Sequence, residues 1–185
     1  MREKGLFPIL LERLQRPDGD AKFTELRSRV LHTFTNLCNK HKENQDVFRE
    51  LGGIDTLIKI LTTNNEPETI RCDAATSLWA TSINNRETLE YICKPEMLDI
   101  LKSLLIETDT VLVGVVATVG NIAAWSTPNQ VLLRVRNFIP LILDFMRSSH
   151  PPLLETAAGA IMSIIRDNGF SFFCLFFYSF LLIVL

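Results

Sequence analysis

The sequence repeats itself at intervals of 41 to 47 residues, and this periodicity restricts the fold more than any other feature. A short apolar segment occurs four times, and its equivalent positions, separated by 47, 44 and 41 residues, are Phe7, Ile54, Leu98 and Ile139. Repeats of this length are typical of solenoids, in which stacked helical units bury one continuous core. We therefore predict an all-α solenoid.

A second apolar block with helical spacing follows each of these segments. The four copies of this second block are residues 30–37, 74–81, 115–122 and 157–164. Turn-forming residues separate the first block from the second, at 17–19, 64–67, 108–109 and 149–152. A third, short helix is predicted to open each later repeat, near Asn44, Asn85 and Asn129. Each repeat is thus expected to contain up to three helices.

Residues 5–168 resemble the armadillo-repeat family. The likeness is carried by the Gly-Gly-Ile-Xaa-Xaa-Leu-Ile pattern of residues 52–58, by the Phe-Pro and Ile-Pro pairs at 7–8 and 139–140, and by the endings at 36–38 and 121–123. It implies a right-handed superhelical array over 1–168, with approximate repeats 1–43, 44–84, 85–128 and 129–168. Two-helix HEAT-like repeats have a similar period and are the alternative.

The array is expected to be truncated at both ends. It opens with the second helix of a repeat, and Asn168 resembles the opening of a repeat that is not completed. About three and a half to four repeats are therefore predicted.

Neither the charge nor the motifs of the chain indicate catalysis. The 19 basic and 21 acidic residues give a net charge of −2, which predicts no general attraction to nucleic acid. The three histidines form no metal-binding helical pair, and there is no nucleophile elbow, phosphate-binding glycine loop or dinucleotide fingerprint. We predict no enzyme activity, no metal, no cofactor and no small-molecule substrate. Four widely spaced cysteines favour a reduced, cytoplasmic protein.

The resemblance implies that a protein or an extended peptide binds along a concave groove lined by the last helix of each repeat. The family's groove tryptophans correspond to His32, Thr76, Ala117 and Gly159, and its groove asparagines to Asn36, Ala80, Asn121 and Ser163. Since two asparagines and no tryptophan remain, importin-like transport of basic peptides is disfavoured. Trp125 follows Asn121 by one helical turn and is expected on the same stripe. The groove candidates are His32, Asn36, Thr76, Asn121, Trp125 and Ser163.

A weaker likeness connects residues 44–143 with the axonemal armadillo proteins that help dock outer dynein arms in motile cilia. It rests on residues 78–83 and 111–116. This likeness implies a role in cilium or axoneme assembly and a ciliary location.

The composition changes abruptly after Asp167, because residues 169–185 are rich in phenylalanine and carry no charge. As a helix this segment would be about 25 Å long, somewhat less than a hydrocarbon core of about 30 Å. Three interpretations remain open: a membrane anchor that makes the protein a tail-anchored adaptor, a product of read-through into noncoding sequence, or a substitute helix packed on the array.

Overall fold

The computed structural model describes residues 5–15 and 21–166, and these residues form eleven α-helices and no strand. The helices are α1 (Leu6–Gln15), α2 (Ala21–Cys38), α3 (Lys42–Glu50), α4 (Gly53–Thr62), α5 (Glu68–Ser82), α6 (Arg86–Ile92), α7 (Pro95–Ser103), α8 (Asp109–Trp125), α9 (Thr127–Val135), α10 (Phe138–Asp144) and α11 (Pro151–Ile165). Single 3₁₀ turns at Leu104–Ile106 and Phe145–Arg147 extend α7 and α10. The prediction of an all-α solenoid is confirmed.

From α3 onward the helices are arranged in three units of a short, a middle and a long helix, and the pair α1 and α2 precedes them. The long helices α2, α5, α8 and α11 pack against one another in chain order, and each also contacts the shorter helices of its own unit. Because the units contain three helices, they are not the two-helix HEAT-like units of the alternative. The second predicted blocks all lie within the long helices, and the short helices α3, α6 and α9 begin close to the positions expected for them. The predicted turn at 17–19 lies outside the described residues.

Each short helix begins with the same side-chain cap. The side chains of His41, Asn85 and Ser126 accept a hydrogen bond from the backbone N–H three residues later, at 3.4, 2.9 and 3.4 Å. Such N-caps satisfy a backbone donor that has no partner within the helix. The caps are 44 and 41 residues apart, so the repeat is specified locally as well as by its apolar pattern.

Aromatic side chains fill the core where the first two units meet. Phe7, Phe34 and Phe48 are fully buried, with ring centroids 4.7 to 6.3 Å apart. The long helices α5 and α8 approach each other closely, and a Cβ atom at Gly114 would lie only 2.5 Å from the backbone carbonyl carbon of Ala75. The two helices can approach this closely because the residues in contact are glycine and alanine.

None of the helices in the described ranges has the length and apolar character of a membrane-spanning segment. The apolar segment 169–185, on which the membrane-anchor interpretation depends, lies outside those ranges.

Candidate protein-binding groove

One side of each long helix is left uncovered by the shorter helices of its unit. On α8, Val115 and Ile122 are fully buried, whereas Val113, Ala117 and Asn121 are partly exposed. The exposed residues are separated by four positions, as expected for one helical stripe. We call the corresponding surface of α2, α5, α8 and α11 the groove face.

All six groove candidates lie on the long helices and are at least partly exposed. His32, Asn36 and Trp125 are exposed, and Thr76, Asn121 and Ser163 are half-buried. The indole of Trp125 has the largest exposed apolar surface among them, at 42%. It ends α8, one turn beyond Asn121.

Several of the candidate polar groups already have partners within the protein. The Thr76 hydroxyl donates to the Cys72 carbonyl at 3.0 Å, and the Ser163 hydroxyl donates to the Gly159 carbonyl at 3.0 Å. Each of these hydrogen bonds lies within a single helix. A ligand could replace either bond at little cost, because both donors are hydroxyl groups that can rotate.

The Asn121 amide is engaged between two repeats. Its nitrogen donates to the Ser82 hydroxyl at 2.8 Å and lies 3.4 Å from the Trp79 carbonyl oxygen. Asn121 therefore ties α8 to the end of α5, a role that the sequence did not reveal.

A small polar cluster joins α2 to α5 beside the predicted position His32. The Asp73 carboxylate accepts a 2.6 Å hydrogen bond from the Ser28 hydroxyl and lies 3.0 Å from His32 Nε2. The imidazole is 61% exposed while the carboxylate is 15% exposed, so His32 covers Asp73 on the groove face. Asp73 is not among the candidates from the sequence, because its proximity to α2 arises only from the packing of α5 against that helix.

A second polar cluster lies where the groove face meets the start of the long helices. The Thr110 hydroxyl donates to the Glu68 carboxylate at 2.7 Å. Hydrogen bonds from Thr110 and then Thr108 hold the pKa of Glu68 below its usual value. The carboxylate of Glu68, at this end of the groove face, consequently stays ionised.

Apolar groups are more prominent toward α11. Met162 is 61% exposed and Trp79 is half-buried on the corresponding position of α5. Neither residue is among the six groove candidates. Within the described ranges, no group of histidine, cysteine, aspartate or glutamate side chains has the arrangement of a metal site.

Comparison with solved structures identifies the fold. The chain is similar to a computationally designed armadillo repeat protein for modular peptide recognition, with a TM-score of 0.75 and 20% identity over 90% of this chain and 68% of that one. A designed armadillo repeat protein in complex with the peptide (KR)4 aligns with a TM-score of 0.72 and 18% identity, over 85% of this chain and 63% of that one. An engineered protein aligns with a TM-score of 0.74 and 20% identity, over 86% and 62%.

The chain therefore has the armadillo-repeat fold, and it spans about three fifths of the length of the (KR)4-bound structure and of the engineered protein. No protein-family model matches the sequence, and the comparison with curated proteins finds no significant match.

Proposed function

We propose that this protein is a noncatalytic scaffold that binds an extended peptide segment of another protein along the groove face. The observation that carries the proposal is the indole of Trp125, which is 42% exposed at the end of α8 although tryptophan is mostly buried in folded proteins. Tryptophan is enriched among the residues that contribute most of the binding energy at protein interfaces. Designed armadillo neighbours that recognise peptides support the same class of ligand.

The polar residues of α2 and α5 fit the rest of such a ligand. Asn36 is exposed, and its amide can pair with both the N–H and the C=O of an extended backbone. His32 lies one helical turn before Asn36 on α2, and its Nε2 is 3.0 Å from the carboxylate of Asp73 on α5. A peptide crossing the groove face would meet the polar groups of α2 first and the indole of Trp125 on α8 afterwards.

Selection of a displayed random-peptide library on the full chain tests this proposal. We expect enriched peptides to bind in solution, and we expect Trp125→Ala to weaken their binding about thirtyfold, which corresponds to roughly 2 kcal/mol. Val135→Ala is the matched control, because Val135 is 68% exposed on the short helix α9 and is not part of the groove face. Circular dichroism melting of both variants shows whether the fold is retained.

Two outcomes would contradict the groove proposal. One is a failure to enrich any peptide. The other is a set of binders whose affinity is unaffected by Trp125→Ala while Val135→Ala weakens them, since the binding surface would then be on the short helices.

The axonemal setting is part of this proposal and rests on the likeness at residues 78–83 and 111–116. Imaging of the tagged chain in multiciliated cells tests it, and exclusion from the axoneme would refute it. The alternative of a membrane-tethered adaptor depends on residues 169–185, outside the described ranges, and no contact of the described residues favours it.

A further inference from the structure

The side-chain amide of Asn121 is held in one orientation by the end of α5. Its nitrogen donates to the Ser82 hydroxyl at 2.8 Å and lies 3.4 Å from the Trp79 carbonyl oxygen. The Ser82 hydroxyl itself donates to the Trp79 carbonyl at 2.8 Å, so its oxygen is free to accept from Asn121. Rotation of the amide by a half turn would bring two acceptor oxygens together, which is unfavourable. The nitrogen of Asn121 therefore faces α5.

The amide oxygen of Asn121 is left open on the groove face. In the part of the chain that the structure describes, the hydrogen bonds of this side chain are the two made by its nitrogen. The buried side-chain atoms without a partner in the same part are Nε of Arg27 and Nε of Arg71, so Oδ1 of Asn121 is accessible to solvent. Ala117 and Trp125, one turn before and after on α8, are half-buried and exposed. Asn121 thus offers a ligand an acceptor and no donor.

The other long helices do not repeat this arrangement. The positions equivalent to Ser82 are occupied by Cys38 on α2 and Ala123 on α8, and neither side chain has a hydroxyl. Asn36 occupies the position of Asn121 on α2 and is exposed, and no described residue bonds its amide. Asn36 can therefore present a donor or an acceptor, whereas Asn121 presents an acceptor alone.

We propose that Ser82 is a positioning residue that makes Asn121 select a hydrogen-bond donor of the ligand, namely a backbone N–H of the extended peptide. This inference rests on the proposed function, since it concerns the ligand of the groove face. The peptide residue that bonds Asn121 cannot be proline, which has no N–H. The indole of Trp125, one turn later on α8, is placed to pack against a side chain close to this N–H.

The selectivity follows from the loss of amide rotation. A freely rotating amide accepts from an N–H or donates to a C=O, whichever the ligand presents. With the nitrogen of Asn121 held by Ser82, a ligand carbonyl at this place would meet a second acceptor, and both oxygens would lack a partner. The Ser82 hydroxyl thus converts an adaptable contact into one that discriminates between ligand groups.

Replacement of single amide bonds of a groove-binding peptide by esters tests the proposal on the full chain. An ester keeps every side chain and removes one N–H donor. The peptide is one enriched from the displayed library whose affinity falls in Trp125→Ala. We expect one ester position to weaken binding to the parent protein about fivefold, the usual effect of one neutral hydrogen bond. The same ester should bind Asn121→Ala as tightly as the amide peptide does.

Three variants separate the oxygen of Asn121 from its nitrogen. Asn121→Asp keeps an oxygen for the ligand and removes the NH2 group, so the ratio of amide to ester affinity should stay at about fivefold or more. Ser82→Ala releases the amide, which can then rotate and donate to the ester oxygen, so this ratio should fall below about twofold. Ser82→Thr keeps the hydroxyl and should keep the ratio. Circular dichroism shows which variants are folded.

Asn44→Ala is the matched control for a lost asparagine hydrogen bond. The Asn44 side-chain nitrogen donates to the Leu37 carbonyl at 2.7 Å, but it lies on the short helix α3, outside the groove face. This variant loses a hydrogen bond between helices, as Ser82→Ala does, and should leave the ratio unchanged. A ratio that falls equally in both would be an effect of lost stability and would overturn the positioning role.

The remaining outcomes separate this inference from the proposed function. A peptide with Trp125-dependent binding but no ester position coupled to Asn121 overturns this inference alone, as does a full ratio in Ser82→Ala. If Ser82→Ala does not fold, Asn121→Asp decides, because a ratio near 1 in that variant would show that the ligand needs the amide nitrogen. Failure to obtain any peptide with Trp125-dependent binding overturns the groove proposal and this inference together.

Discussion

The amide nitrogen of Asn121 donates a 2.8 Å hydrogen bond to the Ser82 hydroxyl and thereby connects α8 with the end of α5. Asn121 is thus both a groove candidate and a residue of the interface between α5 and α8. We expect Asn121→Ala and Ser82→Ala each to lower the free energy of unfolding by about 1 kcal/mol, as loss of one partly buried hydrogen bond does. The double mutant should lose less than the sum, because both variants remove the same bond. Urea unfolding measures all three.

Asn36→Ala provides the comparison, since Asn36 is exposed at the equivalent position on α2. Its unfolding free energy should change by less than about 0.5 kcal/mol. Additive losses in the Asn121 and Ser82 double mutant would show that the two side chains are not coupled.

Close approach of α5 and α8 makes Gly114 intolerant of any side chain. A Cβ atom there would lie 2.5 Å from the carbonyl carbon of Ala75, so Gly114→Ala should destabilise the protein by about 2 kcal/mol. Gly159→Ala is the matched control, because nothing lies within 4 Å of its Cβ position on α11. Since alanine favours helix, this control should be neutral or more stable by about 0.5 kcal/mol. Thermal melting of both variants tests this prediction. A melting temperature of Gly114→Ala equal to that of the parent would contradict the packing argument.

Arg71 and Glu107 form an ion pair between the second and third units, with side chains 17% and 18% exposed. Removal of one partner leaves a charge poorly solvated, so Glu107→Ser should cost about 2 kcal/mol. The next interface has Leu112 and Ser149 at the equivalent positions. We therefore expect the double change Arg71→Leu, Glu107→Ser to recover most of the loss.

Chemical denaturation of the single and double variants measures this recovery. A double variant that is less stable than Glu107→Ser alone would show that the pair contributes net stability which leucine packing cannot replace.

Asp46 should make stability depend on acid pH. Partial burial raises the pKa of its carboxyl group, but hydrogen bonds from Lys42, Asn85 and Arg49 outweigh that effect and lower the pKa from 3.8 to about 2. Because the folded-state pKa is the lower one, this contribution is present above pH 3.8 and is lost as the pH falls through about 2. Asp46→Asn should therefore flatten the fall in unfolding free energy within that window.

The side chain of Glu43, on the same helix, is 88% exposed and provides the control. Urea unfolding at several pH values should show the same acid dependence in Glu43→Gln as in the parent. An unchanged profile in Asp46→Asn would mean that the cluster around Asp46 is not coupled to folding.

Repetition made the architecture predictable from sequence. Apolar blocks and turn residues recur with a common period, and the caps at His41, Asn85 and Ser126 recur with it, so local signals and the global pattern agree. The exposed position of Trp125 also followed from helical spacing relative to Asn121. Asp73 and Met162 could not be recognised, because their importance depends on the helix packed, or not packed, beside them.

The sequence alone determined the helical class, the three-helix repeat and the stripe of each long helix that faces outward, since these depend on spacing along one chain segment. Only the tertiary structure decided that the Asn121 amide is bound by Ser82, that Gly114 meets Ala75, and that the described residues leave Leu154 partly exposed where they bury Leu112. Equivalent residues of a repeat are nearly indistinguishable by sequence. They differ in their neighbours, which lie about 40 residues away and are brought into contact only by stacking.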